Sequence, residues 1–243
     1  MDSDVDIEAT GSDIWQRAEW LCRAVAGREL VGVPLYILPQ SRMSLPLARS
    51  YHYAFTTSLA DLLFHDQIKT WMGRGPCIVI NDDGLEQDIH PQDLEYKTLA
   101  IIFHELAHIL DRPSLVGIDH GNRAHLEYQR LVTMDCLSRP VSGDIAAYHG
   151  HDRSFIRIAI HLAYRVTRAG YPIKAAGIFK GSTYGLSMAS EYEDALGSEP
   201  EESMHLKLTE LKTLPCPPAF NSLWRADLNH YHQLEEKRKG VRA

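Results

Sequence analysis

The residues whose types and spacing point most directly to chemistry are His104, Glu105 and His108, in the segment His104-Glu105-Leu106-Ala107-His108. Two histidines four apart lie on one face of an α-helix, so both imidazoles can be aimed at one ion, at about 2.0–2.1 Å if that ion is zinc. The glutamate after the first histidine projects about a third of a turn away, where it can take a proton from an activated water rather than ligate the ion. This is the helical His-Glu-x-x-His pattern of zinc-dependent hydrolases, with Glu105 as general base, and Zn2+ is the expected cofactor.

Two protein ligands leave a catalytic zinc site incomplete, because such sites ordinarily supply three and keep the fourth position for water. The candidates for the third are His151, His149, Glu127, Asp111 and His120. His151 is favoured because it stands in Gly150-His151-Asp152-Arg153-Ser154-Phe155, at the entrance of a strong helix that can aim it across at the motif helix. Asp111 is one turn beyond His108, too nearly collinear with the motif histidines to close a tetrahedron, and is read either as orienting a ligand or as a solvated helix end. Glu127 would make a gluzincin-like site. His149 is read as a solvated neighbour, and His161 as a helix-surface histidine whose functional alternative is to polarise a substrate carbonyl.

The motif at His104 to His108, followed by Gly-His-x-x-x-Phe at Gly150 to Phe155, resembles the SprT-like zinc metallopeptidases. The resemblance covers about the middle third of the chain. It implies a three-histidine site in which His104, His108 and His151 are ligands and Glu105 is the catalytic base, acting on a peptide or protein substrate. The interval between His108 and His151 is longer than that family usually shows, which implies an insertion around Asp119 to Val141. The cysteine zinc ribbon of some members has no counterpart, since Cys22, Cys77, Cys136 and Cys216 are scattered singly.

The elements that must position these groups are read from periodicity and punctuation. The motif helix is expected from about Pro91 to Asp111, with Leu99, Ile102, Phe103, Leu106, Ile109 and Leu110 as its apolar stripe and Pro113 as a stop. The ligand-bearing helix is expected over Ser154 to Arg168, ended by Gly170 and Pro172. Further helices are expected over Ile14–Val25, Ser58–Trp71, Arg123–Leu137, Glu199–Leu211 and Ser222–Lys237, and strands over Val33–Leu38 and Cys77–Asn81, with a turn at Asp82-Asp83-Gly84. The acidic cluster Glu191, Glu193, Asp194, Glu199, Glu201 and Glu202 reads as a solvated loop. The expected architecture is a single α+β, zincin-like domain over residues 1–243. A small sheet packs on the active-site helix and the second ligand-bearing helix, with the metal-site core at about 75–170 and a helical C-terminal extension at about 171–243.

Composition sets the outer limits. With 243 residues, 44% hydrophobic and 23% charged, the chain is long enough for a real core and unlike disordered or fibrous sequences. A net charge of -7 argues against non-specific binding of nucleic acid, and the basic run Lys237, Arg238, Lys239 and Arg242 reads as a solvated tail. No stretch has the length and apolarity of a membrane span, the acidic opening has no apolar leader core, and unpaired cysteines suit a reducing compartment, so a cytoplasmic location is expected. Two other readings share the motif: a non-peptidase metal-dependent hydrolase, and a binding or scaffold protein whose zinc is structural.

Overall fold

Cys77-Ile78-Val79-Ile80 is apolar at every position, and such a strand is stable only with both faces covered. In the computed structural model, which describes residues 14–43, 54–57, 68, 71–73, 75–113, 118, 151–179 and 188–241, that condition is met. This segment is β3 (Cys77–Ile80), the fully buried central strand of a three-stranded sheet in the order β1-β3-β2. It pairs in parallel with β1 (Tyr36–Pro39), Tyr36 opposite Cys77, and antiparallel with β2 (Ala54–Thr57), Thr56 opposite Ile78. Ile78 and Ile80 enter the main core, whereas Cys77 and Val79 face a small second cluster with Tyr36 and Ile68, the alternation a strand's period of two dictates.

Both strands are shorter than their expected spans. The ladder of the first begins at Tyr36, not Val33, with Tyr36 N–H donating to Pro76 O at 3.0 Å. Pro34 has no N–H to offer, and Gly75 crosses so close that a Cβ on it would lie 1.8 Å from Pro34 O. Asn81 is not in the second strand. Its side chain caps α2 (Asp82–Asp88), accepting from Gly84 N–H at 3.1 Å, so the expected turn at Asp82-Asp83-Gly84 is a helical first turn, where acidic residues suit the helix dipole.

The expected helix over Ser58–Trp71 lies almost wholly outside the described residues, and Ile68 and Trp71 at its end are not helical. Trp71 instead stacks on Tyr36 at 5.1 Å between centroids, and the Tyr36 hydroxyl donates to Gly73 O and accepts from Met72 N–H. The helix expected over Arg123–Leu137 lies outside the described residues.

The motif helix, α3 (Pro91–Asp111), has the expected bounds: Pro91 occupies the first turn, where its missing N–H has no cost, and the His90 side chain accepts from Gln92 N–H. Its first half is largely exposed. From Thr98 onward it is buried on nearly every side, so the sequence's one-sided stripe understates its burial. It packs against α1 (Ile14–Ala26), β2, β3, α4 (Arg153–Arg168) and the short α5 (Ala175–Ile178). Asp152 caps α4 by accepting from Phe155 N–H at 2.9 Å, an interaction of about 1 kcal/mol that also fixes where His151 leaves the helix.

Beyond Gly170 the departures are larger. The acidic cluster is not a loop: α6 (Ala189–Leu196) turns Glu191, Glu193 and Asp194 outward and buries Tyr192, whose hydroxyl donates to the buried Asp227 at 2.9 Å. The expected helix over Glu199–Leu211 is broken into α7 (Glu199–Glu202) and a 3-10 segment, Leu208–Thr213. Ser203 donates its hydroxyl to Glu199 O at 2.6 Å, ending the first turn, and the buried Arg157 guanidinium donates to Leu211 O near the end of the 3-10 segment and to Leu214 O and Pro215 O just beyond it. The last helix, α8, is longer than expected, Pro218–Val241. One cluster of buried residues joins α1, α3, α4, α6 and α8, so the C-terminal segment shares the core of the motif helix. The chain is therefore mixed α+β and mostly helical, and no described helix is long and apolar enough to cross a membrane.

Candidate metal centre

Helix α3 supplies His104 and His108 from one face, and the entrance of α4 supplies His151 from across the interface. Their ring nitrogens converge: His104 Nε2 lies 3.2 Å from His108 Nε2 and 3.1 Å from His151 Nε2, and one nitrogen from each ring falls within a 4.8 Å group. Phe155, one turn along α4, touches all three imidazoles, with centroids 5.1, 4.4 and 4.6 Å from those of His104, His108 and His151. It is the apolar floor on which the cluster rests.

His104 has a fixed tautomer. Its Nδ1 is 2.7 Å from Ile178 O, and since a carbonyl only accepts, Nδ1 carries the proton and Nε2 presents a lone pair to its two neighbours. Burial, and secondarily the neighbouring His151, push the His104 pKa down to about 3, so the ring is neutral. Neutral imidazoles held through the distal nitrogen by a carbonyl are the usual form of metal-ligating histidine. Tetrahedral nitrogen ligands about 2.0–2.1 Å from an ion are about 3.3–3.4 Å apart, close to the two separations seen here. The donor set therefore fits a borderline-soft divalent cation that takes imidazole.

Glu105 projects about 100° around α3 from His104, toward β2. Its carboxylate accepts both the backbone N–H and the hydroxyl of Thr56. Burial raises its pKa to about 7 against the opposing pull of those two hydrogen bonds. A carboxyl group so placed can accept and return a proton near neutral pH.

The other candidate residues separate clearly. Asp111 is buried and accepts from the Ser154 hydroxyl; burial first, then Asp152, raises its pKa to about 6. It ties the end of α3 to the start of α4 rather than joining the histidines. His161 is neither a surface residue nor part of the cluster: it is fully buried, with Nε2 2.9 Å from Glu199 Oε1, and burial lowers its pKa despite that carboxylate. His120, Glu127 and His149 lie outside the described residues. Among the described residues no carboxylate or thiol joins the three histidines.

Two contributors carry no sequence signal: the Ile178 carbonyl, because any residue supplies one, and Thr56, because a four-residue strand has too few positions to declare a period. Gly177 assists the first, since a Cβ there would come 2.8 Å from the Tyr96 hydroxyl and 3.5 Å from Ala100 Cβ, where α5 lies close against α3. Comparisons of the chain with protein-family profiles, with curated proteins and with solved structures each find no match.

Proposed function

We propose that the protein is a zinc-dependent metallopeptidase of zincin-like fold, similar to the SprT-like family. The observation that carries this reading is the convergence of His104, His108 and His151 on one point, with Glu105 on the same helix held separately by Thr56. Three nitrogen ligands leave a fourth position for water or substrate, the arrangement of catalytic rather than structural zinc. Zinc held there supplies a water acidified to a pKa of about 7 and polarises a carbonyl.

The chain's own residues account for the proton movements. His104, His108 and His151 would hold the cation through Nε2, and Ile178 O keeps His104 in the tautomer that could ligate it. Glu105 accepts one proton from water as its oxygen bonds the peptide carbonyl carbon, then returns that proton to the amine nitrogen as the C–N bond breaks. The protein neither gains nor loses a proton over the cycle. Thr56 keeps the carboxylate in one orientation through both transfers, and Phe155 keeps the imidazoles in place and the ligand nitrogens dry.

The test is casein hydrolysis by the zinc-loaded protein beside Glu105→Gln. The expected result is turnover that the variant loses while keeping its zinc. Turnover of small esters or amides without casein cleavage would instead favour a non-peptidase hydrolase, and full zinc with no turnover of any kind would favour a structural metal.

A further inference from the structure

Beside the metal centre lies a second concave feature that the hydrolytic reading does not use. A cleft of about 650 Å³ is bounded by the start of α4, the end of the 3-10 segment and one face of α8. Asp152 in its wall is the residue next to His151, and Ser154 in the same wall is hydrogen-bonded to Asp111, one turn beyond His108. The cleft is therefore continuous in structure with the ligand-bearing end of the site.

Its lining is basic in a chain that is acidic overall. Arg153, Arg157, Lys212 and Arg225 line it against one carboxylate, Asp152, so lining charges sum to about +3 in a protein of net charge -7. Arg157 is spent on Glu199 and three backbone carbonyls, and Asp152 on capping α4. Arg153, Lys212 and Arg225 are all exposed, each from a different element, and Arg153 commits one terminal nitrogen to Asn221 Oδ1 at 2.6 Å. Leu214, Pro215 and Leu228 line the same cleft.

We propose that this cleft binds an acidic peptide segment, taking carboxylate side chains on Arg153, Lys212 and Arg225 and apolar side chains on Leu214 and Leu228. Cations supplied by three elements in a cleft that also offers apolar surface match carboxylates and apolar side chains spaced along a chain, whereas a lone phosphate needs its donors gathered at one point. A nucleic acid is disfavoured by the overall acidity and because Trp224, the aromatic ring in the lining, is buried and offers no face for stacking a base. The proposal rests on the peptidase reading for one thing only, the expectation that the bound chain is substrate; it makes acidic residues on one side of the cleaved bond the specificity determinant.

The experiment is calorimetric titration of the full chain carrying Glu105→Gln, so that no turnover intervenes. The titrants are a capped peptide of alternating Glu and Leu, its Gln-for-Glu counterpart and inorganic phosphate. The expected result is at least about tenfold tighter binding of the Glu peptide, weakening with added salt. That preference is lost in the Lys212→Glu/Arg225→Glu protein, both positions being exposed and compatible with an unchanged circular dichroism spectrum. Equal binding of the two peptides, a preference surviving the double substitution, or displacement of the peptide by equimolar phosphate would each overturn the proposal. Loss of casein turnover in the parent chain with this preference intact would overturn the peptidase reading and leave the cleft standing.

Discussion

Thr56 donates its backbone N–H and its hydroxyl to the carboxylate of Glu105, joining the edge strand β2 to the motif helix at the group proposed to move protons. The two histidines of the same helix face a different partner, α4. Base and ligands are thus held by separate elements, and each can be perturbed without the other.

The first prediction follows from that separation. Thr56→Val removes the hydroxyl donor and keeps the β-branched shape and the N–H, so the carboxylate loses one of its two holds. A hydrogen bond to a charged group is worth about 1.5–3 kcal/mol, which corresponds to a fall in kcat of about 10- to 100-fold. KM and zinc content are expected to stay near wild type. Steady-state kinetics with metal analysis checks this, and an unchanged kcat would show that Glu105 needs no support from β2.

His151→Ala is expected to weaken zinc binding by more than about 100-fold and abolish hydrolysis, because it removes a direct ligand, not an outer hydrogen bond of about 10- to 100-fold effect. Glu127→Ala and His149→Ala are expected to leave most of both. Competition against a chromogenic chelator gives the affinities; wild-type affinity in His151→Ala would move the third ligand elsewhere.

Removing Arg157 should be costly for a different reason. Its guanidinium is 2.7 Å from Glu199 Oε1 and holds the end of the 3-10 segment and the residues after it through three carbonyls, so Arg157→Met leaves the half-buried carboxylate with His161 alone and takes the arginine donor from the Leu214 and Pro215 carbonyls. Breaking a buried pair from one side typically costs about 3–5 kcal/mol. Arg157→Met/Glu199→Gln is expected to recover part of that loss in urea unfolding, and no recovery would locate the arginine's contribution in the carbonyls alone.

His161 gives the fold a pH dependence on the acid side. Burial holds its pKa below the ordinary value of 6.5, so below that pH the unfolded chain takes up the proton more readily than the native one. Stability from this residue is complete above pH 6.5 and declines as the pH falls. His161→Gln, keeping a donor toward Glu199, is expected to flatten urea midpoints over this range; a slope unchanged from wild type would assign it to other groups.

The parts of this molecule legible in the sequence are those where one residue type at one spacing has a single physical use. Pro91 and the i, i+4 histidines gave the motif helix its start and its chemistry, and an all-apolar tetrad gave β3 its burial. His151 was legible because a glycine before it and an Asp cap after it mark a helix entrance. Other features depend on partners distant in sequence. His161 on an arginine-rich helix reads as exposed until Glu199, 38 residues away, is brought against it. The segment after Glu202 has a plausible helical composition, but the Ser203 hydroxyl takes the Glu199 carbonyl there, and the chain beyond is held by Arg157, distant in sequence, through the Leu211, Leu214 and Pro215 carbonyls. Ile178 acts through its carbonyl, which no residue pattern announces, and Thr56, acting through its N–H and its hydroxyl, stands in a strand too short to declare a period.

His104, His108 and His151 are proposed to hold zinc together. An anomalous difference map from crystals of the untreated protein, recorded on both sides of the zinc absorption edge, tests it directly. The account predicts one peak present above the edge and absent below it, about 2.0–2.1 Å from the Nε2 atoms of all three histidines, with Glu105 outside the coordination sphere. A peak coordinated by a carboxylate with His151 turned away, or zinc-supplemented crystals with no peak at these nitrogens, would contradict it.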